Sequence, residues 1–346
     1  MIRLNVKASK RYEVLIGDGL IHSIGGFVSH VCKSNRVAVV TDDIVDSLYG
    51  QAVVSSLRSG GFIVSKLAFA NGEESKNIGT LSSIWEFLAA NSFTRSDMLI
   101  ALGGGVVGDI TGFAAATYMR GVSFIQIPTT LLAAVDASVG GKTAIDLAHG
   151  KNLAGVFWQP SLVLCDCDVI RHLPKEIFSN GMAEVIKHGF LGDEAILSCI
   201  DDDGVMERLL WLIQRNVEIK RNVVEVDELE SGKRRILNFG HTVAHAIEKL
   251  SEYRVPHGIA VGIGMVYETR MAEKLGLCQM GLAVQVERYC QKYGLFVEQN
   301  ITDVFIDVMM LDKKNEDNCI VFALPESVGS FVIKKFTKSE VASLLC

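Results

Sequence analysis

The sequence predicts an α/β N-terminal domain with a parallel sheet, residues 1–170, followed by a mostly α-helical C-terminal domain, residues 171–346. Two observations predict this order. In the first half, short apolar runs alternate with helix-like segments. In the second half, long amphipathic segments follow one another and strand signals nearly vanish. Alternating strands and helices are typical of an open α/β sheet, and consecutive amphipathic segments are typical of a helical domain.

Five apolar runs are predicted to be buried parallel strands. They are Arg36–Thr41, Phe62–Phe69, Asp97–Leu102, Val122–Pro128 and Ser161–Cys165. The first residues, 1–6, also alternate like a strand, and helices are expected at Leu81–Ala90 and Ile110–Tyr118. The later helical segments are Met182–Gly189, Val205–Val226, Thr242–Leu250 and Ile259–Leu275, and they precede two short strands at Cys319–Ala323 and Ser330–Ile333.

Composition indicates a folded protein of the cytoplasm. Of the 346 residues 49% are hydrophobic, enough for a sizeable core, and the net charge of −6 argues against a general nucleic-acid binder. No apolar run approaches the ~18 residues of a membrane helix, and the start lacks the apolar core of a signal peptide. None of the eight Cys forms a Cys-x-x-Cys pair, so we expect reduced, buried thiols.

A glycine-rich loop, residues 103–109, follows the third predicted strand and precedes a helix. Gly103, Gly105 and Gly108 have the G-x-G-x-x-G spacing that lets a backbone approach a pyrophosphate at a helix N-terminus. The motif alone could also be a tight turn. The next strand ends in Thr129-Thr130 rather than in the usual acid, so this is not a plain Rossmann fingerprint.

Two other polar clusters end predicted strands. Asp42-Asp43 could bind an adenosine ribose or cap a following helix. The loop at residues 71–76, Asn-Gly-Glu-Glu-Ser-Lys, lies at a strand's carboxyl end, where open α/β sheets bind ligands.

A dense stretch of Gly, Thr, Lys and Asp runs through residues 126–136, 138–146 and 150–153. Its hydroxyls, carboxylate, amide and ammonium groups could line one polar pocket. The alternative is a long surface loop, which we discount because Leu131–Val135 and Ile145 look buried.

Glu184, His241 and His257 form a plausible set of metal ligands, because a catalytic zinc commonly takes three protein ligands. His245, one helical turn after His241, is an equally good candidate ligand by its spacing. The residues alone therefore do not show which of these four bind the metal. Cations crowd the same motifs. Together with Arg120, Asn152 and Asn238, these cations indicate a site for a substrate that carries phosphate and carboxylate. The cations are Lys142, Lys151, Lys187, Lys220, Arg234, and Lys313 or Lys314.

The order of these motifs resembles that of the 3-dehydroquinate synthases, members of the sugar phosphate cyclase family. The matching elements are the glycine loop, residues 128–133, 140–143 and 150–152, Met182–Lys187, Leu237–Thr242, Pro256–Gly258 and Asp312–Lys314. The resemblance covers about residues 42–314. Ile44 stands where some relatives have a polar NAD contact, and Leu229 replaces a common Arg.

The resemblance implies a role for each residue. The predicted NAD contacts are Asp42, Asn71, Gly72, Glu73, Glu74, Ser75, Lys76, Gly104, Gly105, Val106, Val107, Gly108, Asp109, Thr129, Thr130, Lys142 and Lys151, the last lying between NAD and substrate. The implied substrate residues are Asp136, Lys142, Asn152, Lys187, Lys220, Arg234, Asn238, His245 and one of Lys313 and Lys314. Glu184, His241 and His257 would hold Zn²⁺ or Co²⁺, and Arg120 would reach the substrate of the other subunit of a homodimer.

The implied reaction converts 3-deoxy-arabino-heptulosonate 7-phosphate into 3-dehydroquinate and phosphate, a step of the shikimate pathway. NAD oxidises the substrate transiently, phosphate is eliminated, the hydride is returned and an aldol step closes the ring, so NAD is not consumed. Three alternatives stay open. They are an NAD- and metal-dependent polyol dehydrogenase, a sister cyclase whose substrate lacks a carboxylate, and a non-catalytic binding protein.

Overall fold

The computed structural model describes residues 1–310 and 317–345. The chain forms two compact units. The first comprises Met1–Leu173 with Leu209–Glu228, and the second comprises Pro174–Arg208 with Leu229–Cys346. The helix Leu209–Val226, which the sequence analysis assigned to the helical domain, therefore packs within the first unit. In the described residues, no helix is both long enough and apolar enough to cross a membrane.

A seven-stranded sheet forms the centre of the first unit. The strands of this unit are β1 Ile2–Lys7, β2 Arg11–Gly17, β3 Arg36–Asp42, β4 Ile63–Phe69, β5 Met98–Gly103, β6 Ser123–Pro128, β7 Lys142–Leu147, β8 Gly150–Phe157 and β9 Leu162–Asp166. The sheet order is β1-β2-β9-β6-β5-β3-β4, and every pair is parallel except β1 with β2. The predicted α/β fold with a mostly parallel sheet is confirmed.

Helices cover both faces of this sheet. They are α1 Ile24–Val31, α2 Asp43–Val45, α3 Gln51–Ser59, α4 Ile78–Ala90, α5 Gly105–Thr117, α6 Cys167–Arg171 and α9 Leu209–Val226. Alternation along β3 explains the two layers of core. Val37 and Val39 pack into one apolar cluster and Ala38 and Val40 into the other, so both faces of the strand are buried.

The parallel register brings three strand ends to one edge of the sheet. Thr41 in β3 pairs with Leu102 in β5, and Gly103 pairs with Pro128 in β6. The residues that follow these strands, which include several predicted NAD contacts, are therefore neighbours along the carboxyl edge, where open α/β sheets bind ligands.

The polar stretch after residue 138 is a hairpin and not a loop. Strands β7 and β8 pair antiparallel, and their register shifts between Ile145 and Leu147. The sequence analysis missed this hairpin because its glycines and charged residues obscure the alternation of a strand. The shift leaves Asp146 on β7 and residues 151–153 on β8 outside the regular register of the hairpin.

The second unit is mostly helical. Its helices are α7 Lys175–Gly192, α8 Glu194–Asp201, α10 His241–Leu250, α11 His257–Lys274, α12 Leu282–Lys292, α13 Asp303–Met309 and α14 Lys338–Leu345, and its hairpin pairs β10 Ile320–Ser327 with β11 Ser330–Phe336. Several predicted boundaries were wrong. Helix α7 begins at Lys175 rather than Met182, and β10 and β11 extend beyond their predicted ends, to Ser327 and Phe336. Helix α5 begins at Gly105 rather than Ile110, because glycines hide a helical start, and α9 begins at Leu209 after a turn over residues 205–208.

Candidate active site

The glycine loop forms the start of α5, at the carboxyl end of β5. Gly104 is the N-cap and carries no side chain that could satisfy the first N–H groups of the helix. The N–H of Thr129 donates to the Gly103 carbonyl (3.0 Å), which ties the loop to the end of β6. A Cβ on Gly108 would lie 2.7 Å from Gln126 Oε1, so a side chain at this position would displace the Gln126 amide. The free helix N-terminus fits a pyrophosphate.

The other predicted NAD residues at this strand end differ in burial. Val107 and Thr129 are buried, whereas Gly105, Val106, Asp109 and Thr130 are partly buried. Thr130 Oγ1 accepts from the N–H of Ala133 (3.2 Å). The space beside Gly105 is open, since the nearest atom to a Cβ built on this residue would be 3.8 Å away.

A buried ammonium joins three of the predicted motifs in the first unit. Lys76 Nζ lies 2.6 Å from Asp109 Oδ2 and 2.5 Å from Asn152 Oδ1. Lys151 Nζ lies 3.7 Å from Glu73 Oε1. Burial would lower the pKa of Lys76, but the charges of Asp109 and Glu73 outweigh it and raise that pKa, so Lys76 stays charged. Asn152, which the resemblance assigned to the substrate, here contacts the lysine assigned to NAD.

Asp146 belongs to this cluster, although the sequence analysis gave it no role. Its N–H donates to the Lys76 carbonyl (2.7 Å), and its Oδ1 accepts from the N–H of Asn152 (2.8 Å). Burial raises the pKa of Asp146 to about 6, with the nearby Glu73 carboxyl adding to the effect and the Asn152 N–H and Lys76 opposing it. The sequence signal for Asp146 was its position in the polar stretch of residues 138–146.

The acid pair at the end of β3 has two structural roles. The Asp42 side chain accepts from the N–H of Val45 (2.8 Å) and so caps α2. Asp43 Oδ1 accepts from the N–H of Asn71 (2.9 Å) and holds the start of the loop at residues 71–76. In that loop Asn71 and Glu74 are exposed, and Gly72 and Ser75 are partly buried.

Two predicted substrate residues of the first unit form an ion pair. Lys220 Nζ, on α9, lies 2.8 Å from Asp136 Oδ1 and 2.5 Å from the Asp136 carbonyl oxygen. Lys220 is 5% exposed, so the pair holds a largely desolvated ammonium in place. Lys142, the first residue of β7, is exposed.

Arg120 lies just beyond the C-terminal end of α5 and is exposed. Its backbone has φ 62°, and that of Met119 has φ 48°, both in the left-handed region. A Cβ on Gly121 would lie 2.7 Å from the Trp158 ring, so the chain is pressed against the indole at this turn. Non-glycine residues in this region cost about 1–3 kcal/mol each and cluster at functional sites.

In the second unit, three helices bring the predicted metal ligands together. Glu184 on α7 is fully buried, and His241 and His257 are the first residues of α10 and α11. Glu184 Oε1 lies 3.5 Å from His241 Nε2 and 3.3 Å from His257 Nε2. Two donors about 2.0–2.1 Å from one tetrahedral zinc are about 3.3 Å apart, so this donor set fits a zinc-type ion.

Each histidine is oriented through its other ring nitrogen. His241 Nδ1 lies 3.0 Å from the Phe239 carbonyl oxygen, and His257 Nδ1 lies 3.4 Å from Glu248 Oε1. Burial opposes protonation of His257, but the hydrogen bonds and charges of Glu184 and Glu248 outweigh it and raise its pKa to about 9. Carboxylate or carbonyl partners of this kind fix the tautomer of metal-binding histidines.

Two further predicted residues adjoin this cluster. Lys187, one turn after Glu184 on α7 and 1% exposed, forms an ion pair with Glu184 Oε2. The His245 ring centroid lies 5.8 Å from that of His241. His245 therefore lies near the predicted metal ligands. It does not belong to the group whose donor atoms lie within 4.8 Å of one another, which consists of Glu184, His241 and His257.

The short helical segment Lys233–Asn238 carries the remaining predicted residues of the second unit. Arg234 is 1% exposed, and Asn238 Nδ2 donates to Glu230 Oε1 (2.8 Å). Sequence reasoning missed Glu230, whose backbone φ of 60° marks it as unusual. Lys313 and Lys314 lie outside the described residues.

The fold has close relatives among solved structures. One is a 2-epi-5-epi-valiolone synthase from Streptomyces hygroscopicus subsp. jinggangensis, solved with NAD⁺ and Zn²⁺ bound. It has a TM-score of 0.89 and 25% identity over 99% of this chain and 98% of the other. The fold is therefore that of the sugar phosphate cyclases.

Family models and sequence relatives identify the branch. The 3-dehydroquinate synthase N-terminal model matches residues 66–180, and the C-terminal model of the same family matches residues 181–315. A 3-dehydroquinate synthase from Streptococcus suis is 42% identical over 96% of both chains. Another from Clostridium kluyveri is 41% identical over 99% of this chain and 98% of the relative. The chain belongs to the 3-dehydroquinate synthase family.

Proposed function

We propose that the protein converts 3-deoxy-arabino-heptulosonate 7-phosphate into 3-dehydroquinate and phosphate, as a carbon–oxygen lyase of the shikimate pathway. The observation that carries this proposal is the cluster of the buried Glu184 with the partly buried His241 and His257, with donor spacings of 3.3 and 3.5 Å, in a chain of this family. Lys187, which forms an ion pair with Glu184, and the buried Arg234 are cations of the same unit, and together they suit a substrate with two anionic groups.

The cofactors are NAD and one divalent ion, Zn²⁺ or Co²⁺, per subunit. The related valiolone synthase contains NAD⁺ and Zn²⁺, which supports the same pair here. NAD is held in the first unit by the uncapped N-terminus of α5 and by the cluster around Lys76. The ion is held in the second unit by one carboxylate and two imidazoles, a common catalytic zinc set.

When bound, the ion supplies Lewis-acid polarisation of a substrate oxygen, and NAD supplies reversible hydride acceptance. The chain's own residues do the rest. Lys187 offsets the charge of Glu184 and of the anionic substrate, and Arg234 offers a planar fork for a carboxylate or phosphate. His245, whose ring centroid lies 5.8 Å from that of His241, moves a proton.

The remaining predicted substrate residues position the molecule. In the first unit Asp136 and Lys220 hold each other, and Lys142 and Asn152 offer an ammonium and an amide. In the second unit Asn238 is oriented by Glu230. Preorganised charges of this kind lower a barrier because they need not reorient during the reaction.

The protein acts on a small phosphorylated sugar acid, and neither a nucleic acid nor a membrane is a partner. We place it in the cytoplasm as a homodimer. The strained, exposed turn at Met119 and Arg120 supports the dimer, because the resemblance assigns Arg120 to the site of the other subunit.

The deciding experiment measures phosphate release from the heptulosonate phosphate with and without NAD, while absorbance at the NADH band is followed. Enzyme stripped of NAD is expected to be inactive and to recover with NAD far below the amount of product. NADH that accumulates in proportion to product would indicate a polyol dehydrogenase. Turnover of a substrate without the carboxylate, in preference to the sugar acid, would indicate a sister cyclase.

A further inference from the structure

Two buried carboxylates lie next to the metal ligands without belonging to the donor set. Glu248 on α10 is 3% exposed, and Glu268 on α11 is 0% exposed. Burying a carboxylate costs several kcal/mol unless hydrogen bonds or charges compensate it. The partners of these two groups therefore show what they stabilise.

Glu268 caps the helix that begins with a metal ligand. Its carboxylate accepts from the N–H groups of Gly240 (2.7 Å), Thr242 (3.1 Å) and Val243 (3.3 Å). These groups surround His241, the first residue of α10. A carboxylate at a helix N-terminus satisfies orphan donors and complements the helix dipole. Glu268 thus fixes the backbone from which the imidazole projects.

The backbones of α10 and α11 meet directly at this point. A Cβ on Gly264 would lie 1.8 Å from the Gly240 carbonyl oxygen, and one on Gly240 would lie 2.8 Å from the Val261 carbonyl oxygen. No side chain separates the two elements, so the position of Glu268 relative to the start of α10 is tightly constrained.

Glu248 lies on α10 and contacts His257, the predicted metal ligand that begins α11. Its Oε1 lies 3.4 Å from His257 Nδ1, while His257 Nε2 faces Glu184 at 3.3 Å. A carboxylate on the far nitrogen fixes the tautomer of a metal-binding imidazole and increases its basicity. Each of the two helices therefore carries one ligand and one carboxylate that supports the other helix's ligand.

We propose that Glu248 and Glu268 are positioning residues for the metal ligands, a role that rests on the metal site proposed above. Glu248 orients the imidazole of His257, and Glu268 fixes the helix start that presents His241. Neither carboxylate is itself a ligand, and their joint effect is to raise the affinity of the site for the ion.

The test compares zinc affinity in Glu248→Gln, Glu268→Gln and a matched control, Glu273→Gln. Glu273 lies on the same helix as Glu268 and also caps a helix start, since its Oε1 accepts from the N–H groups of Gly281 (2.8 Å) and Ala283 (2.9 Å). Competition with a chromophoric chelator gives the affinity, and the visible spectrum of the Co²⁺ protein reports ligand geometry. Loss of a partner that orients a ligand typically weakens metal binding ~10–100-fold.

We expect that loss in the first two variants, with an altered Co²⁺ spectrum, and unchanged affinity in Glu273→Gln. Affinities equal to wild type in folded Glu248→Gln and Glu268→Gln would overturn the proposal. If Glu268→Gln does not fold, Glu248→Gln decides alone, because it leaves every backbone cap intact. Glu184→Gln separates the two hypotheses: zinc binding that does not need Glu184 would refute the metal site itself.

Discussion

Glu184 Oε1 lies 3.3 Å from His257 Nε2, although the two residues are 73 positions apart in the chain. That separation is the one expected for two ligands of a single tetrahedral zinc ion. Because His241 Nε2 lies at a similar 3.5 Å from the same oxygen, Glu184 is the common member of the donor set. We therefore expect metal binding to be sensitive to each of the three side chains.

The first prediction is that His241→Ala loses its metal and its activity together. Removing a ligand should cost at least the ~10–100-fold typical of weaker perturbations around a metal site. Elemental analysis after dialysis gives the zinc content, and phosphate release gives the activity. His172→Ala removes an exposed imidazole of the first unit and is the control. Chelator should inactivate wild type, with recovery on adding Zn²⁺ or Co²⁺. Full activity of His241→Ala in chelator would refute the assignment.

The second prediction concerns Lys76, whose ammonium joins Asp109 and Asn152. Hydrogen bonds to charged groups contribute about 1.5–3 kcal/mol, so Lys76→Met should weaken NAD binding about 10–100-fold. Isothermal titration with NAD measures the change. Lys66→Met removes a more exposed lysine that pairs with Asp46 on the surface, and NAD affinity should not change.

Loss of Lys76 alone leaves the Asp109 carboxylate without its nearest cation and could unfold the protein. The double variant Lys76→Met/Asp109→Asn removes both charges and guards against this outcome. Wild-type NAD affinity in the folded double variant would show that the cluster does not contribute to binding.

Much of the fold could be predicted from the sequence, because the strands follow from local runs of apolar residues. All five predicted parallel strands appear within a residue or two of the predicted bounds, and four of them are buried, as expected for apolar strands covered on both faces. The prediction of burial was wrong for β4, which lies at the edge of the sheet and is partly exposed along its length. The pairing of β7 with β8 could not be predicted in the same way, since the polar residues of this hairpin reflect its neighbours rather than a regular alternation. Helix α9 is amphipathic, but its pattern does not say against which unit it packs.

Only part of the candidate site could be predicted from the sequence, because residues far apart in the chain meet only after folding. The spacing of residues along the chain gave four candidate metal ligands and no reason to prefer any of them. The family resemblance selected three. The structure brings Glu184, His241 and His257 together, while their role as ligands stays a prediction. Residues that act by supporting others, such as Asp146 and Glu248, carry no motif, because their partners are defined only after the chain has folded.

The third prediction is a pH-dependent gain of stability in Asp146→Asn. The folded pKa of about 6 lies above the unfolded value of about 3.9. The folded state therefore binds this proton more tightly. The contribution of Asp146 is fully present below about pH 4 and is lost as the pH rises through about 6. The amide oxygen of Asn can still accept from the N–H of Asn152, but it does not ionise.

Above pH 6 the variant should thus be more stable than wild type by about 1 kcal/mol, after allowance for the partial exposure of the carboxyl group. Near pH 4 the two proteins should be equally stable. Urea unfolding at both pH values measures the difference. A gain of the same size at both values would mean that titration of Asp146 is not its cause.

The last prediction tests Arg120. Helix α5 starts at the glycine loop and runs for 13 residues, so its far end lies about 20 Å from the proposed pyrophosphate site. Arg120 follows that end on a strained, exposed turn. Its position does not suit a contact with its own cofactor site, and the family resemblance implies a contact with the site of a second subunit. Arg120→Ala dimers and Lys187→Ala dimers should each be nearly inactive.

Mixing and re-forming dimers from the two variants should restore activity. In a mixed dimer, one site combines the intact Lys187 of one subunit with the intact Arg120 of the other, so about half of the mixed population's dimers carry one competent site if subunits pair at random. Re-formed wild-type dimers control for losses in handling. Lys233→Ala, which removes an exposed cation of the second unit, controls for surface charge. If the mixture stays inactive while wild type recovers, Arg120 does not act across a subunit interface.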